Sequence, residues 1–93
     1  MSIKDVLGEV LKEAREKRGL SQKEVSDKMG YGTAQFVSNW ERGLSSPPIE
    51  SLKSLAELYK MSGERLFELV LQKKIEEVTK RLHEDYEACR SRR

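Results

Sequence analysis

Cysteine is nearly absent from this chain: Cys89 stands alone among 93 residues. A single cysteine excludes an intrachain disulfide and a cysteine-rich zinc site, and it suits a reducing compartment. Long apolar runs are missing too, so no segment reads as a membrane span, and Met1 to Val10 carries Lys4, Asp5 and Glu9 where a secretory signal needs its apolar stretch. The expected location is cytoplasmic, with no membrane partner. A strong excess of one charge sign is also lacking: the formal net charge of +2 permits a polyanionic partner without demanding one. His83 is the lone histidine and has no partners at metal-ligand spacing, so no metal and no cofactor are expected. Nor is there a nucleophile–base set or a phosphate loop, and the chain does not read as an enzyme.

What remains is a regular pattern. Charged and hydrophobic residues each make up 37%, polar for a folded chain but far too patterned for a disordered one. Ile3, Val6, Leu7, Val10, Leu11 and Ala14 recur every three or four residues, predicting a first helix that stops near Gly19. Ser21-Gln22-Lys23-Glu24 has the form of a capping box opening a second, short helix that buries Val25 and Met29 and ends at Gly30. After a turn at Tyr31-Gly32, Thr33 is placed to cap a third helix running to about Arg42 and stopped by Gly43, with Phe36, Val37 and Trp40 as its apolar face. Tyr31 itself suits packing and phosphate contact equally.

Pro47 and Pro48 launch a fourth helix with Ile49, Leu52, Leu55, Ala56, Leu58 and Tyr59 apolar. Ser62 caps a fifth from Gly63, in which Leu66, Phe67, Leu69, Val70 and Leu71 complete the core. Beyond it Leu71, Ile75, Val78, Leu82, Tyr86 and Cys89 continue one narrow stripe, and a strict heptad reading puts Asp85 in the seam, against a long parallel zipper. The tail Arg90-Ser91-Arg92-Arg93 is basic and reads as solvated. Residues 1–71 are expected to form the folded domain and 72–93 a helical extension.

Two short helices joined by a glycine-containing turn, the second with a polar outer face, are the helix-turn-helix plan. A helix fits the major groove of B-DNA, and amide, hydroxyl and guanidinium groups can pair with base edges there. Ala34, Gln35 and Ser38 are placed to read bases, with Asn39 near the flank.

The run EKRGLSQKEVSDKMGY, then FVSNWERG, then PPIESLKSLAELYKMSGERLF resembles the Cro/repressor-type helix-turn-helix domains, the XRE family, over roughly Val6 to Val70. The resemblance implies an all-α, five-helix, lambda-repressor-like domain, here with an extended C-terminal helix, that binds double-stranded DNA as a homodimer. Carried over by position, it implies base contacts from Thr33, Ala34, Gln35, Ser38 and Asn39. It implies phosphate contacts from Gln22, Arg42, Ser45 and Ser46, and a shielded salt bridge between Arg15 and Glu41. The chain departs from the common pattern in one additional residue, placed at Tyr31-Gly32, and in Trp40 at a position that usually holds a medium aliphatic.

The reading is a sequence-specific transcriptional regulator, a repressor on a partly palindromic operator. Leu71, Ile75, Val78, Leu82 and Tyr86 are the candidate dimerisation surface, because an unburied apolar stripe is an interaction surface. Two rivals stand beside it. One is an antitoxin-like or phage-type regulator whose C-terminal helix binds a protein partner; the other is an interaction adaptor that uses the helix-turn-helix only as scaffold.

Overall fold

The computed structural model describes residues 3–92, with side chains from Val6 onward. Ile3 as a stripe residue and Arg93 in the basic tail lie outside the described side chains and residues. Among the described residues there are five α-helices, α1 (Ile3–Lys17), α2 (Gln22–Lys28), α3 (Gln35–Glu41), α4 (Leu52–Tyr59) and α5 (Gly63–Arg90), and no strand. None is long and apolar enough to cross a membrane.

The helices end by one repeated device. At the end of α1 the amide of Gly19 donates to the Glu16 carbonyl and that of Leu20 to Arg15, and the same pair of bonds recurs at Gly30 and Tyr31, at Gly43 and Leu44, and at Lys60 and Met61. This is the Schellman arrangement, which needs a left-handed residue at its first position. Gly19, Gly30 and Gly43 supply it with φ of 69°, 84° and 77°, whereas at the end of α4 Lys60 is forced there at φ 52°. Two helix starts follow side-chain chemistry as expected: Ser21 and Glu24 form the reciprocal capping box of α2, and the Ser62 hydroxyl accepts from the Arg65 amide at the start of α5.

Leu7 and Leu11 of α1, Val25, Val37, Trp40, Leu52, Leu55, Ala56, Tyr59, Leu66, Leu69 and Val70 form the core. Met29 is only partly buried, and the adjacent Ser26 goes fully inside instead. Trp40 is core as expected, and its ring meets Tyr31 edge-on at 5.9 Å between centroids. Tyr31 therefore packs, filling the space beside the large indole.

Four predicted core residues lie outside. Phe36 is 49% exposed, its ring resting on Tyr31 at 5.1 Å. Ile49 is exposed because the chain first makes a single 3-10 turn at Ile49–Ser51 and begins α4 only at Leu52, while Pro47 takes the interior position. Phe67 and Leu71 are 44% and 41% exposed. At about 100° per residue, the buried residues Leu66, Leu69, Val70 and Lys73 share one side of α5, and the stripe from Phe67 to Cys89 is centred about 160° away. The stripe thus does not continue the core face; it looks away from the domain.

Gly8, in the middle of α1, is where α1 crosses α3. A Cβ there would meet the Glu41 carbonyl oxygen at 2.4 Å and its carbon at 3.0 Å, both backbone atoms that cannot turn aside. In an open helix Gly→Ala stabilises by about 1 kcal/mol. Here the sign reverses: Gly8→Ala lowers stability by about 1–3 kcal/mol through forced separation of the helices, read by urea denaturation. Lys60→Gly acts the other way, raising stability by about 0.5–1 kcal/mol by relieving the left-handed strain, and a fall in the urea midpoint would refute that account.

Candidate nucleic-acid interface

The elements that could face a duplex are held by one buried polar cluster. Arg15 falls on the inward face of α1, four residues after Leu11, and its Nε and Nη2 donate to Glu41 Oε2 and Oε1 at 2.7 and 3.1 Å. Its Nη1 donates to the Leu20 carbonyl at 2.8 Å, which ties in the turn between α1 and α2. The Gln22 amide completes the set, donating from Nε2 to Glu41 Oε1 at 3.0 Å. Three helices therefore converge on one carboxylate. The side chains of Arg15 and Glu41 are only 11% and 4% exposed, which makes the implied salt bridge a shielded, bidentate one. The hydrogen bond to Glu41 raises the Arg15 pKa further, outweighing the opposing effect of burial. Tyr59 lies against the same pair; burial, and then the Glu41 charge, push its phenol well above the usual range.

This cluster sets the rotation of α3. Val37, Trp40 and Glu41 are turned inward. At about 100° per residue, Gln35, Ser38, Asn39 and Arg42 then occupy an arc centred about 160° away, facing outward. Phe36 is left on the rim between the two arcs, next to Trp40, with its ring against Tyr31. On the outer arc Gln35 Nε2 and Arg42 Nη2 both donate to Asn39 Oδ1, at 2.8 and 2.9 Å. Ser38 is half-buried beside them. Three of the reading candidates thus lie in one row with Arg42, each long side chain steered by its neighbour.

The start of α3 differs from expectation. The helix begins at Gln35, one residue later than read from the sequence, and Ala34 in place of Thr33 stands at the cap without a side-chain bond. The Thr33 hydroxyl still accepts from the Gln35 amide at 3.2 Å, so Thr33 shapes the entry while Ala34 is half-buried. In the following loop Ser45 is exposed, whereas Ser46 Oγ is buried and makes no hydrogen bond among the described residues. Ser45 is therefore the outward serine of the pair. Gln22, implied as a phosphate donor, has its amide nitrogen engaged by Glu41 through one of two N–H groups.

Local charge changes with this geometry. Over α2 and α3 the sequence balances Lys23, Lys28 and Arg42 against Glu24, Asp27 and Glu41. Glu41 is buried against Arg15, and Lys23 pairs with Asp27 at 2.7 Å, so the outer surface keeps a slight positive excess. No group of three metal-ligating side chains occurs among the described residues.

The helix-turn-helix family model matches residues 11–66, which takes in α2, α3 and the Arg15 cluster. Among curated proteins, the HTH-type transcriptional regulator ImmR of Bacillus subtilis (strain 168) is 42% identical over 60 residues, covering 64% of this chain and 46% of that protein. The match spans about half the length of this relative.

The polar cluster generates its own test. Removing one partner of a buried pair leaves the other charge uncompensated, so Arg15→Ala is expected to cost about 3–5 kcal/mol of stability. Replacing both, as Arg15→Met with Glu41→Leu, recovers most of that loss. Chemical denaturation of Arg15→Met, Glu41→Leu and the double variant decides it: additive losses would return the pair to the weak surface class.

Proposed function

Because the chain belongs to the helix-turn-helix family, we propose that it is a sequence-specific DNA-binding transcription regulator, a repressor acting as a homodimer on a partly palindromic operator. The observation that carries this reading is the outward row Gln35–Asn39–Arg42, with Ser38 beside it, on a helix whose rotation is set by a buried bidentate pair. A reader of bases needs polar side chains of suitable reach in fixed relative positions, and major-groove edges reward amides in particular: Gln and Asn pair bidentately with adenine, Arg with guanine.

In this reading Gln35, Ser38 and Asn39 contact bases, with Thr33 and Ala34 at the entry of α3 closest to the groove floor. Arg42 and Ser45 hold the flanking phosphates, Ser46 contributing through its loop. Gln22 uses its second N–H for a phosphate while the first stays on Glu41, so that phosphate contact and the rotation of α3 are mechanically joined. Two copies related by two-fold symmetry present their α3 helices to half-sites about 34 Å apart. Residues 1–71 form the DNA-binding part and 72–93 the association element, consistent with Lys73 being the last buried residue of α5. Leu71, Ile75, Val78, Leu82 and Tyr86 supply the dimer surface; all five are exposed in the single chain. The setting is cytoplasmic.

Selection of bound sequences from random DNA tests the proposal, and the absence of any enriched motif would sink it. Within the selected site, Gln35→Ala or Ser38→Ala relaxes preference at one base pair per half-site and costs about 1–3 kcal/mol there. Arg42→Ala lowers the salt slope by about one and weakens every sequence, with an added loss of preference at the base pair Asn39 reads, whose amide it no longer steers.

A further inference from the structure

We infer that the surface covering the α5 stripe is a second copy of this chain whose own α5 runs antiparallel, the two helices crossing near Thr79. The inference rests on the proposed homodimer and specifies its orientation. Its first support is position. Phe67, Leu71, Ile75, Val78, Leu82, Tyr86 and Cys89 fall within a wedge about 100° wide, on the side of α5 turned away from the face packed against α1 and α4. Every one of these residues is exposed in the single chain, so the wedge is open along its length.

The second support is charge. Along one flank of the wedge stand Lys74, Glu77, Arg81 and Asp85, alternating in sign. Reversing the helix about a point between Thr79 and Lys80 brings Lys74 level with Asp85 of the second copy, and Glu77 within one residue of Arg81 of the second copy. Every opposition on this flank is then between unlike charges, and two-fold symmetry makes each occur twice. The same reversal sets Leu71 between Tyr86 and Cys89 of the second copy, Ile75 beside its Leu82, and Val78 near its Val78.

A parallel, in-register pair lacks this. There the flank carrying Lys74, Glu77 and Arg81 faces the opposite flank of the partner, where Glu76 stands level with Lys74 but equally with the like-charged Glu77, and no acid stands level with Arg81. Asp85 meets its own copy in the seam, a like-charge contact between apolar layers. Antiparallel packing removes that contact and gives Asp85 a lysine. The two domains then emerge at opposite ends of the helix pair, with their last buried residues about 20 Å apart along the shared axis at 1.5 Å per residue.

The single exposed cysteine makes the orientation measurable in the native sequence. With a nitroxide on Cys89 of the full chain, antiparallel helices 8–10 Å apart put the two attachment points about 30 Å from each other, whereas parallel helices bring them within about 15 Å. A mean spin–spin distance near 30 Å is the expected result. A distance under about 15 Å keeps the dimer and overturns the orientation; one beyond about 45 Å places the interface elsewhere and overturns the inference; a monomeric mass overturns the dimer on which it rests. Because a label in the wedge can itself perturb packing, an unlabelled pair of variants gives the second reading. Lys74→Glu and Asp85→Lys each weaken dimerisation by about tenfold, since each exchange acts twice across the symmetry axis, and the double variant restores it. A double variant no tighter than the singles would overturn the antiparallel pairing, and sequence selection by the same proteins tests the DNA reading independently.

Discussion

The bidentate bond between Arg15 and Glu41 is the constraint from which the rest of the domain takes its geometry. A buried ion pair is a poor source of net stability, because desolvating two charges costs about as much as their attraction returns. Its value here is positional. Arg15 reaches Glu41 with two nitrogens and the Leu20 carbonyl with its third, and Gln22 adds a third donor to the Glu41 carboxylate. A fork of fixed planar geometry admits few rotations of α3 about its own axis, and each degree of rotation moves Gln35, Ser38, Asn39 and Arg42 along the surface they present. A leucine pair at these positions would hold α3 in place while letting it roll. Gly8 belongs to the same constraint, since the close crossing of α1 over the end of α3 brings Arg15 within reach.

The four Schellman ends explain how so short a chain turns so often. Each left-handed position is followed by an apolar residue: Leu20, Tyr31, Leu44 and Met61. Three of these four, Leu20, Tyr31 and Met61, pack against the core, so most of the turns close the interior as well as reversing the chain. One such turn is closed by Tyr31, which serves as a lid over Trp40 and Phe36.

Much of this was legible in the sequence. The capping box at Ser21, the glycine stops, the Ser62 cap and the inward stripe of α1 are local devices, and local devices survive folding unchanged. The misplacements share a cause: apolar periodicity locates a face but cannot choose between adjacent sides of a helix when both carry apolar residues. On α3 the choice lay between Phe36 and Glu41, and the carboxylate went inside because its partner was already there, a fact written 26 residues away. On α5 two apolar arcs coexist, and the sequence run Leu66-Phe67 followed by Leu69-Val70-Leu71 merges them. The late start of α3 and the inward turn of Ser46 depend on loop geometry that no residue pattern announces. Gly8 carried a signal that went unused: a glycine inside a strong helical stripe costs helix propensity and implies a close approach.

The separation of the two arcs on α5 joins fold to function. An isolated helix the length of residues 74–90 is marginal in water, because nucleation is costly and side-chain pairs such as Glu87–Arg90 contribute only about 0.2–0.5 kcal/mol each. Here nucleation is already complete, since the first turns of α5 are packed in the domain through Leu66, Leu69 and Val70, and the extension has only to propagate. Propagation carries an exposed apolar stripe out from the domain at a fixed angular offset from its core. The helix therefore relates whatever covers the stripe to the domain rigidly, and through the domain to the outward row on α3. In the proposed dimer, spacing between the two α3 helices is then set by helical register on α5 and not by a flexible linker, which is the property a two-fold reader of a spaced site requires.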